Sequence, residues 1–218
     1  MIKETIEIQI KRIKGCHSMR LRINRNGQPV LSLPYWIPKA MGLMWAHKQE
    51  NWIQQNTFVP IKFHDGQVIS VLGKQVIIRH SPDRVRTHIK EDILWVAGEE
   101  SFLPRRVCDF IKKEFLTYLH PQITEKEKIL NLKHSRVTLR DTSTRWGSCS
   151  SRGGLSFCWR LAMAPLFVID YLVAHEIAHL KHMNHSAAFW KTVSELTPYT
   201  NQAKKWLKEN GHHLHILK

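Results

Sequence analysis

The start of the chain alternates apolar and charged residues, a pattern that predicts β-strands over residues 2–36. Successive side chains of a strand point to opposite faces of a sheet, so alternate residues share one environment. Asn26 and Gly27 accept the positive φ angles of a tight turn, and they predict a hairpin whose second arm covers residues 28–33. The alternating apolar positions are Ile2, Ile6, Ile8, Ile10, Leu21 and Ile23.

Helical and strand patterns alternate through the middle of the chain. Apolar residues at helical spacing after Pro38 predict a helix over residues 38–54, and residues 58–79 return to strand character around two glycine turns. A short apolar run predicts one more strand at residues 93–96.

A second helix is predicted from Pro104, where apolar residues form a stripe along one face. Proline removes a backbone donor, so Pro121 is expected to interrupt this helix. Thr124 and Glu127 fit a capping box that restarts a helix toward Leu132.

The C-terminal part combines a short sheet with three helices. Residues 144–150 and 155–160 predict a hairpin, preceded by a strand at residues 135–140. Pro165 and Ser186 each begin a predicted helix, and a last helix covers residues 201–210. The fold class is therefore α+β.

Two domains are expected, with a boundary near residue 100. Residues 1–100 form a β-rich module with one helix, and seven basic residues against two acids within the first 26 make this module basic. Residues 101–218 form a domain in which the helix beginning at Pro165 lies next to a small antiparallel sheet.

Composition narrows the class of protein. Hydrophobic residues make up 43% and charged residues 23%, as in soluble globular proteins, and no apolar run is long enough to span a membrane. Residues 1–15 lack the apolar core of a signal peptide, so a cytoplasmic location is expected. Four cysteines without a CxxC pair argue against a thiolate zinc cluster or a disulfide framework.

Lys and Arg outnumber Asp and Glu by 33 to 18, which gives a net charge of +15. This excess favours polyanionic partners such as nucleic acid, nucleotides or acidic protein tails. The oligomeric state does not follow from the sequence.

The sequence HEIAH at residues 175–179 predicts a divalent-metal site. His175 and His179 lie one turn apart on the same helix face, which suits two neighbouring ligands of zinc. Glu176 follows the first ligand directly and is the candidate general base, which takes a proton from the metal-bound water.

The third ligand is either His182 or His185. His182 would lie on the same helix face, but ligands from one straight helix line up along its axis and cannot easily close a tetrahedron. His185 follows a helix end that can turn the chain back, so it is the predicted ligand. Zinc suits three imidazoles best, although manganese, cobalt or nickel would also bind them.

Three further residues are candidate contacts for the transition state or the substrate, because a developing oxyanion needs nearby donors. They are Arg145, Arg160 and Tyr199. Both arginines have an alternative interpretation as structural salt bridges.

Several motifs in order resemble the YgjP-like metal-dependent hydrolases, a zincin family also called DUF45 and related to the WLM group. The motifs are RWGSCS at residues 145–150, WRL at 159–161, Pro165, HEIAHL at 175–180 and NHS at 184–186 followed by Phe189 and Trp190. The resemblance is close over the C-terminal half.

This resemblance implies a zincin-like metallopeptidase domain with His175, His179 and His185 as ligands and Glu176 as the catalytic residue. It also implies that the hairpin between Trp146 and Trp159 lies beside the active-site helix, where an edge strand can receive an extended peptide. The family often has Asn where this chain has Cys158, for which packing inside the hairpin is the simpler interpretation.

Three functions are weighed. The first is a zinc-dependent metallopeptidase. The second is a metal-dependent nucleoside triphosphate pyrophosphohydrolase, since the positive charge can hold triphosphates. The third is a nucleic-acid-associated module, in which the basic N-terminal sheet docks on the phosphate backbone. The zinc site would then belong to a protease tethered there, or it would be a degenerate structural site.

Overall fold

The computed structural model describes residues 7–24 and 26–217. The predicted strand positions Ile2 and Ile6 lie outside these residues, as does Arg25 beside the first turn. The chain divides into two compact units between Ile61 and Lys62. Both units contain helices and strands, so the predicted α+β class is confirmed. Within the described ranges, no helix is long and apolar enough to cross a membrane.

The first unit contains a three-stranded sheet in which β3 lies between β1 and β2. Strand β1 runs parallel to β3 and β2 runs antiparallel to it. Strand β3 is buried along its whole length, and Leu31 and Leu33 form a small core with Ile37 and Ala46. The elements are β1 (Gln9–Arg12), β2 (Arg20–Ile23), β3 (Pro29–Leu33), α1 (Lys39–His47) and α2 (Glu50–Asn56). The sequence predicted one helix over residues 38–54, but the chain leaves the helical conformation at Gln49 and forms two helices instead.

The predicted hairpin joins β2 to β3. The side-chain oxygen of Asn24 accepts hydrogen bonds from the backbone N–H groups of Asn26 at 2.8 Å and Gln28 at 3.0 Å, which fixes the turn. Gly27 has a φ of +74°, and a Cβ atom there would lie 1.6 Å from the carbonyl oxygen of Phe58. Only glycine fits this position.

The second unit begins with a four-stranded sheet in the order β4-β5-β7-β6, followed by a long helix. The neighbours β5 and β7 are parallel, and the two outer pairs are antiparallel. The elements are β4 (Val68–Val71), β5 (Lys74–Ser81), β6 (His88–Lys90), β7 (Ile93–Ala97) and α3 (Leu103–Leu130).

Helix α3 continues through Pro121, where the sequence predicted a break. Its buried face carries an apolar residue at almost every turn, and packing along this stripe outweighs the loss of one backbone hydrogen bond. The helix ends at Asn131, which has the left-handed φ of 51° common at helix ends. The stripe consists of Val107, Ile111, Phe115, Leu119 and Ile123.

The division between the units lies earlier than the boundary expected near residue 100. The inward residues of β4, β5 and β7 and the buried stripe of α3 share one apolar core, so this sheet is part of the second unit. A period-two pattern marks the buried face of a strand but does not identify the helix that covers it.

A second sheet of this unit is mixed, whereas the sequence predicted an antiparallel one. Strand β10 lies between β8 and β9, parallel to the first and antiparallel to the second. The β9–β10 hairpin is present as predicted, and β8 joins the far side of β10. The strands are β8 (Arg136–Arg140), β9 (Gly147–Cys149) and β10 (Gly154–Cys158).

Three further helices complete the unit, and a buried ion pair fixes α3 against the first of them. They are α4 (Leu166–Ala178), α5 (Ala187–Leu196) and α6 (Thr200–Asn210). The ammonium of Lys126 on α3 lies 2.6 Å from the carboxylate of Asp170 on α4 and also donates to the carbonyl of Leu196 at 2.9 Å. The hydroxyl of Thr197 donates to the same carboxylate. All four cysteines are free thiols.

We expect Lys126→Met to lower the free energy of unfolding by about 2–4 kcal/mol, because it leaves the Asp170 carboxylate without its cation. Urea denaturation measures this loss. Lys112→Met on the same helix is the matched control, since the Lys112 ammonium forms a surface ion pair with Asp109 at 3.8 Å and lies 5.6 Å from the centroid of the Trp159 ring. Equal losses in the two variants would contradict the assigned role of the buried pair.

Candidate metal centre

Helix α4 carries the first two candidate ligands on an element that is otherwise largely buried. His175 and His179 lie four residues apart, so their imidazoles leave the same side of the helix, with ring centroids 5.0 Å apart. The helix packs into the core through Val168, Ile169, Leu172, Val173 and Ile177, which are all buried. The apolar residues of α4 thus set the direction of both imidazoles.

The helix ends at His179, and the chain reverses before the third histidine. The backbone N–H of His182 donates to the carbonyl of Ala178 at 2.9 Å, which closes the last turn. Ser186 then caps helix α5 with its hydroxyl. This reversal places His185 against His175.

The three histidines present nitrogen atoms that all lie within 4.8 Å of one another. The Nε2 atoms of His175 and His185 are 3.2 Å apart. Zinc–nitrogen bonds of about 2.0–2.1 Å place two ligand nitrogens of a tetrahedron about 3.3–3.4 Å apart. The three histidines could therefore hold a metal ion such as zinc.

His182, the alternative third ligand, contributes its backbone instead of its ring. The Nδ1 atom of His179 donates to the carbonyl oxygen of His182 at 3.0 Å. This bond fixes the ring orientation and leaves Nε2 as the nitrogen able to bind a metal. Among the described residues, the His182 imidazole is not part of the cluster.

Phe189 on α5 lies beneath all three imidazoles and is fully buried. Its ring centroid is 4.9 Å from that of His175, 4.5 Å from that of His179 and 4.7 Å from that of His185. One aromatic side chain thus limits the rotation of every candidate ligand.

Burial favours the neutral form of two of the candidate ligands, His175 and His179. It lowers the pKa of His175 to about 4, with smaller contributions from the neighbouring His179 and His185 and from Lys204. Burial also lowers the pKa of His179. Neutral imidazole is the form that binds a metal, so both rings are ready for it at neutral pH.

Glu176 is buried next to the cluster and has an unusually basic carboxylate. Desolvation raises its pKa to about 8, and only the positive charge of Arg145 opposes this rise. Its Oε2 atom is buried and has no hydrogen-bond partner. Its Oε1 atom lies against Gly147, where a Cβ atom would approach it to 2.4 Å.

Arg145 and Tyr199 are partly exposed, whereas Arg160 is buried. Arg145 precedes β9 and acts electrostatically on Glu176. The Tyr199 ring is 40% exposed, and its centroid lies 6.2 Å from that of Phe167. Among the described residues, neither side chain forms a hydrogen bond or an ion pair with the three histidines.

Arg160 has a different environment. Its Nε donates to the carboxylate of Asp141 at 2.9 Å, and its Nη1 donates to the carbonyl oxygens of Leu214 at 3.0 Å and Leu217. None of the contacts described for Arg160 involves the histidine cluster. These contacts favour the structural interpretation of this arginine.

Sequence reasoning missed Gly147 and Lys204. Gly147 stands directly after Trp146 in the RWGSCS motif, and nothing in the sequence around it shows that Glu176 packs against it. The Lys204 ammonium lies 3.5 Å from the centroid of the Trp190 ring on α5. Cys158 is buried, and its thiol lies 3.5 Å from the carbonyl oxygen of Thr142, in line with packing inside the hairpin.

Three imidazoles at a helix end, with a glutamate directly after the first, define the site as that of a metal-dependent hydrolase. The model of the YgjP-like metallopeptidase domain matches residues 17–210, and the chain belongs to this family. No curated protein is similar enough to count as a match.

Among solved structures, the chain is similar to the metallopeptidase zymogen of Pyrococcus abyssi abylysin. The identity is 19%, and the similarity covers 42% of this chain and 93% of that chain, with a TM-score of 0.38. A likeness at this level carries no argument about the present site.

We expect Gly147→Ala to lower the free energy of unfolding by about 1–3 kcal/mol, because the new methyl group overlaps the Glu176 side chain. Thermal denaturation of the metal-free protein measures the effect. Gly154→Ala on the neighbouring strand is the matched control, since a Cβ atom added there would come no closer than 3.0 Å to another side chain, the Ser150 hydroxyl. Unchanged stability of Gly147→Ala would contradict the close approach of Gly147 to Glu176.

Proposed function

We propose that the chain is a zinc-dependent peptidase of the zincin type. His175, His179 and His185 hold the metal, and Glu176 acts as the general base. The observation that carries this proposal is the convergence of three imidazole nitrogens within 4.8 Å, next to a buried carboxylate on the same helix.

The ligand chemistry supports zinc. Three neutral imidazoles are a common zinc ligand set in hydrolases, although manganese, cobalt and nickel bind the same donors. When bound, zinc supplies a Lewis acid that polarises a carbonyl group and lowers the pKa of water.

Glu176 is suited to move a proton. A carboxylate whose pKa lies near neutrality accepts a proton and releases it again at little cost, as a general acid–base catalyst requires. In our proposal, Glu176 takes a proton from the attacking water and delivers it to the amine of the leaving peptide. Gly147 confines the carboxylate, since the glycine backbone occupies one side of it.

We propose that strand β9 receives the substrate. It is an edge strand of its sheet, and it lies beside α4 through the contact between Gly147 and Glu176. An extended peptide can add to a free edge by backbone hydrogen bonds. Arg145, two residues before this strand, and the exposed Tyr199 are our candidates for contacts to the substrate or the oxyanion.

Replacing any one ligand should abolish tight metal binding. We expect His175→Ala, His179→Ala and His185→Ala each to lower the affinity for zinc. The loss should exceed the roughly 10–100-fold that is typical when a hydrogen-bond partner of a ligand is removed. Titration against a competing chelator measures the affinity, and His182→Ala is the control because only its backbone carbonyl contacts His179. Loss of zinc from His182→Ala, with full occupancy in His185→Ala, would overturn the ligand assignment.

Glu176→Gln should bind zinc normally yet lose peptide cleavage by about 10²–10⁴-fold, because it keeps the shape of the side chain and removes the base. Mass spectrometry of a mixed peptide library incubated with zinc-loaded protein detects the products. Equal cleavage by both proteins would exclude Glu176 as the base. Release of pyrophosphate from nucleoside triphosphates, without any peptide cleavage, would instead favour a pyrophosphohydrolase.

A further inference from the structure

The sheet formed by β8, β10 and β9 has one apolar face and one polar face. Leu155 and Phe157 on the central strand are buried in the core. The positions between them on β10, and their neighbours on β8 and β9, carry arginine and hydroxyl side chains. The strand register places these side chains beside one another across the sheet. We call these residues the arginine face: Arg136, Thr138, Arg140, Ser148 and Ser156.

A shallow cavity of about 430 Å³ lies over the arginine face and also borders Arg145 and Ser150. A neighbouring cavity of about 520 Å³ shares Arg136 and Ser150 and adds Arg152. None of the residues that line either cavity is acidic. Together the two cavities form a groove that offers positive charge and hydroxyl donors.

The arginines of this groove are available to a ligand. Within the described ranges, Arg136, Arg140 and Arg152 make no ion pair with a carboxylate. By contrast, Arg12 in the basic N-terminal sheet donates to the carbonyl oxygens of Pro34, Tyr35 and Ile37, so it serves its own unit.

The spacing favours an extended polyanion over a single small anion. Arg136 and Arg140 are the two ends of one strand and lie about 13 Å apart at the usual rise per residue. Two charges at this separation, with Thr138 between them, can follow successive charges of a linear ligand. The net charge of +15 attracts such a ligand over a longer range.

The groove suits a phosphodiester backbone better than an acidic protein. Protein interfaces are built around apolar and aromatic anchors, and the apolar side chains of this sheet, such as Leu155 and Phe157, face the core instead. Contacts to nucleic-acid phosphates come chiefly from Arg, Lys, Ser and Thr side chains, the types present here.

We propose that the groove over the arginine face binds the phosphodiester backbone of nucleic acid without reading its sequence. The bound strand would lie over the sheet face beside β9, whose Gly147 contacts Glu176. The peptide edge of β9 and the arginine face are different surfaces, so nucleic acid and peptide can bind together. Nucleic acid would thereby hold the hydrolytic site close to proteins associated with it.

The test is fluorescence anisotropy with labelled oligonucleotides, one single-stranded and one double-stranded, at a series of salt concentrations. We expect binding of at least one of them to weaken steeply as salt rises. The double variant Arg136→Gln/Arg140→Gln should weaken binding at least about tenfold and reduce the slope of log affinity against log salt by about two. Arg145 is left unchanged because it belongs to the proposed substrate contacts.

The matched control is Arg79→Gln/Arg105→Gln, which removes the same charge from two exposed arginines paired with Asp65 and Asp109. It should change binding less than about twofold, since a charge far from the groove acts only through the screened field of the protein. Thermal unfolding and zinc content verify that both double variants fold. Arg136→Lys/Arg140→Lys keeps the charge and should retain most of the affinity.

Three results would overturn the proposal. The first is an equal loss in the groove variant and the control, which would assign binding to net charge alone. The second is tighter binding of a polyglutamate peptide than of an oligonucleotide of equal charge. The third is the absence of salt-dependent binding to either oligonucleotide.

Discussion

The burial of helix α4 is the constraint on which the rest of the site depends. Apolar residues fix the helix in the core, and the ion pair between Lys126 and Asp170 fixes it against α3. Polar groups on such a helix lose their water. Desolvation therefore lowers the pKa of His175 to about 4 and raises that of Glu176 to about 8. The same packing that stabilises the fold prepares neutral ligands and a basic carboxylate.

Phe189 and Gly147 confine this helix from two sides. Phe189 has a large side chain that contacts all three imidazoles. Gly147 has no side chain, which lets strand β9 approach Glu176 closely. A hydrolytic site needs ligands and base held in a fixed relation, because small displacements of reacting groups are costly. Here the fixed relation comes largely from packing, together with the hydrogen bond from His179 to the His182 carbonyl and the 3.2 Å contact between the Nε2 atoms of His175 and His185.

The sheet beside α4 combines three surfaces in a few residues. Its apolar face joins the core, the edge of β9 borders the candidate active site, and its polar face carries Arg136 and Arg140. Alternation along β8 and β10 is enough to separate the two faces. A protein that uses both the edge and the polar face can couple hydrolysis to binding of a second, negatively charged partner.

Local patterns in the sequence determined the helix that carries His175, Glu176 and His179, the turn at Asn24 to Gly27 and the β9–β10 hairpin. These features depend on the spacing of apolar residues and on turn chemistry, and both are set by residues close together in the sequence. Only the tertiary structure decided that α3 passes through Pro121, that β8 lies parallel to β10, and that the first sheet of the second unit belongs with α3. It also decided that Gly147 meets Glu176 and that four separate arginines line one groove. These outcomes depend on which faces pack together, and a pattern along one chain marks a buried face without naming its partner.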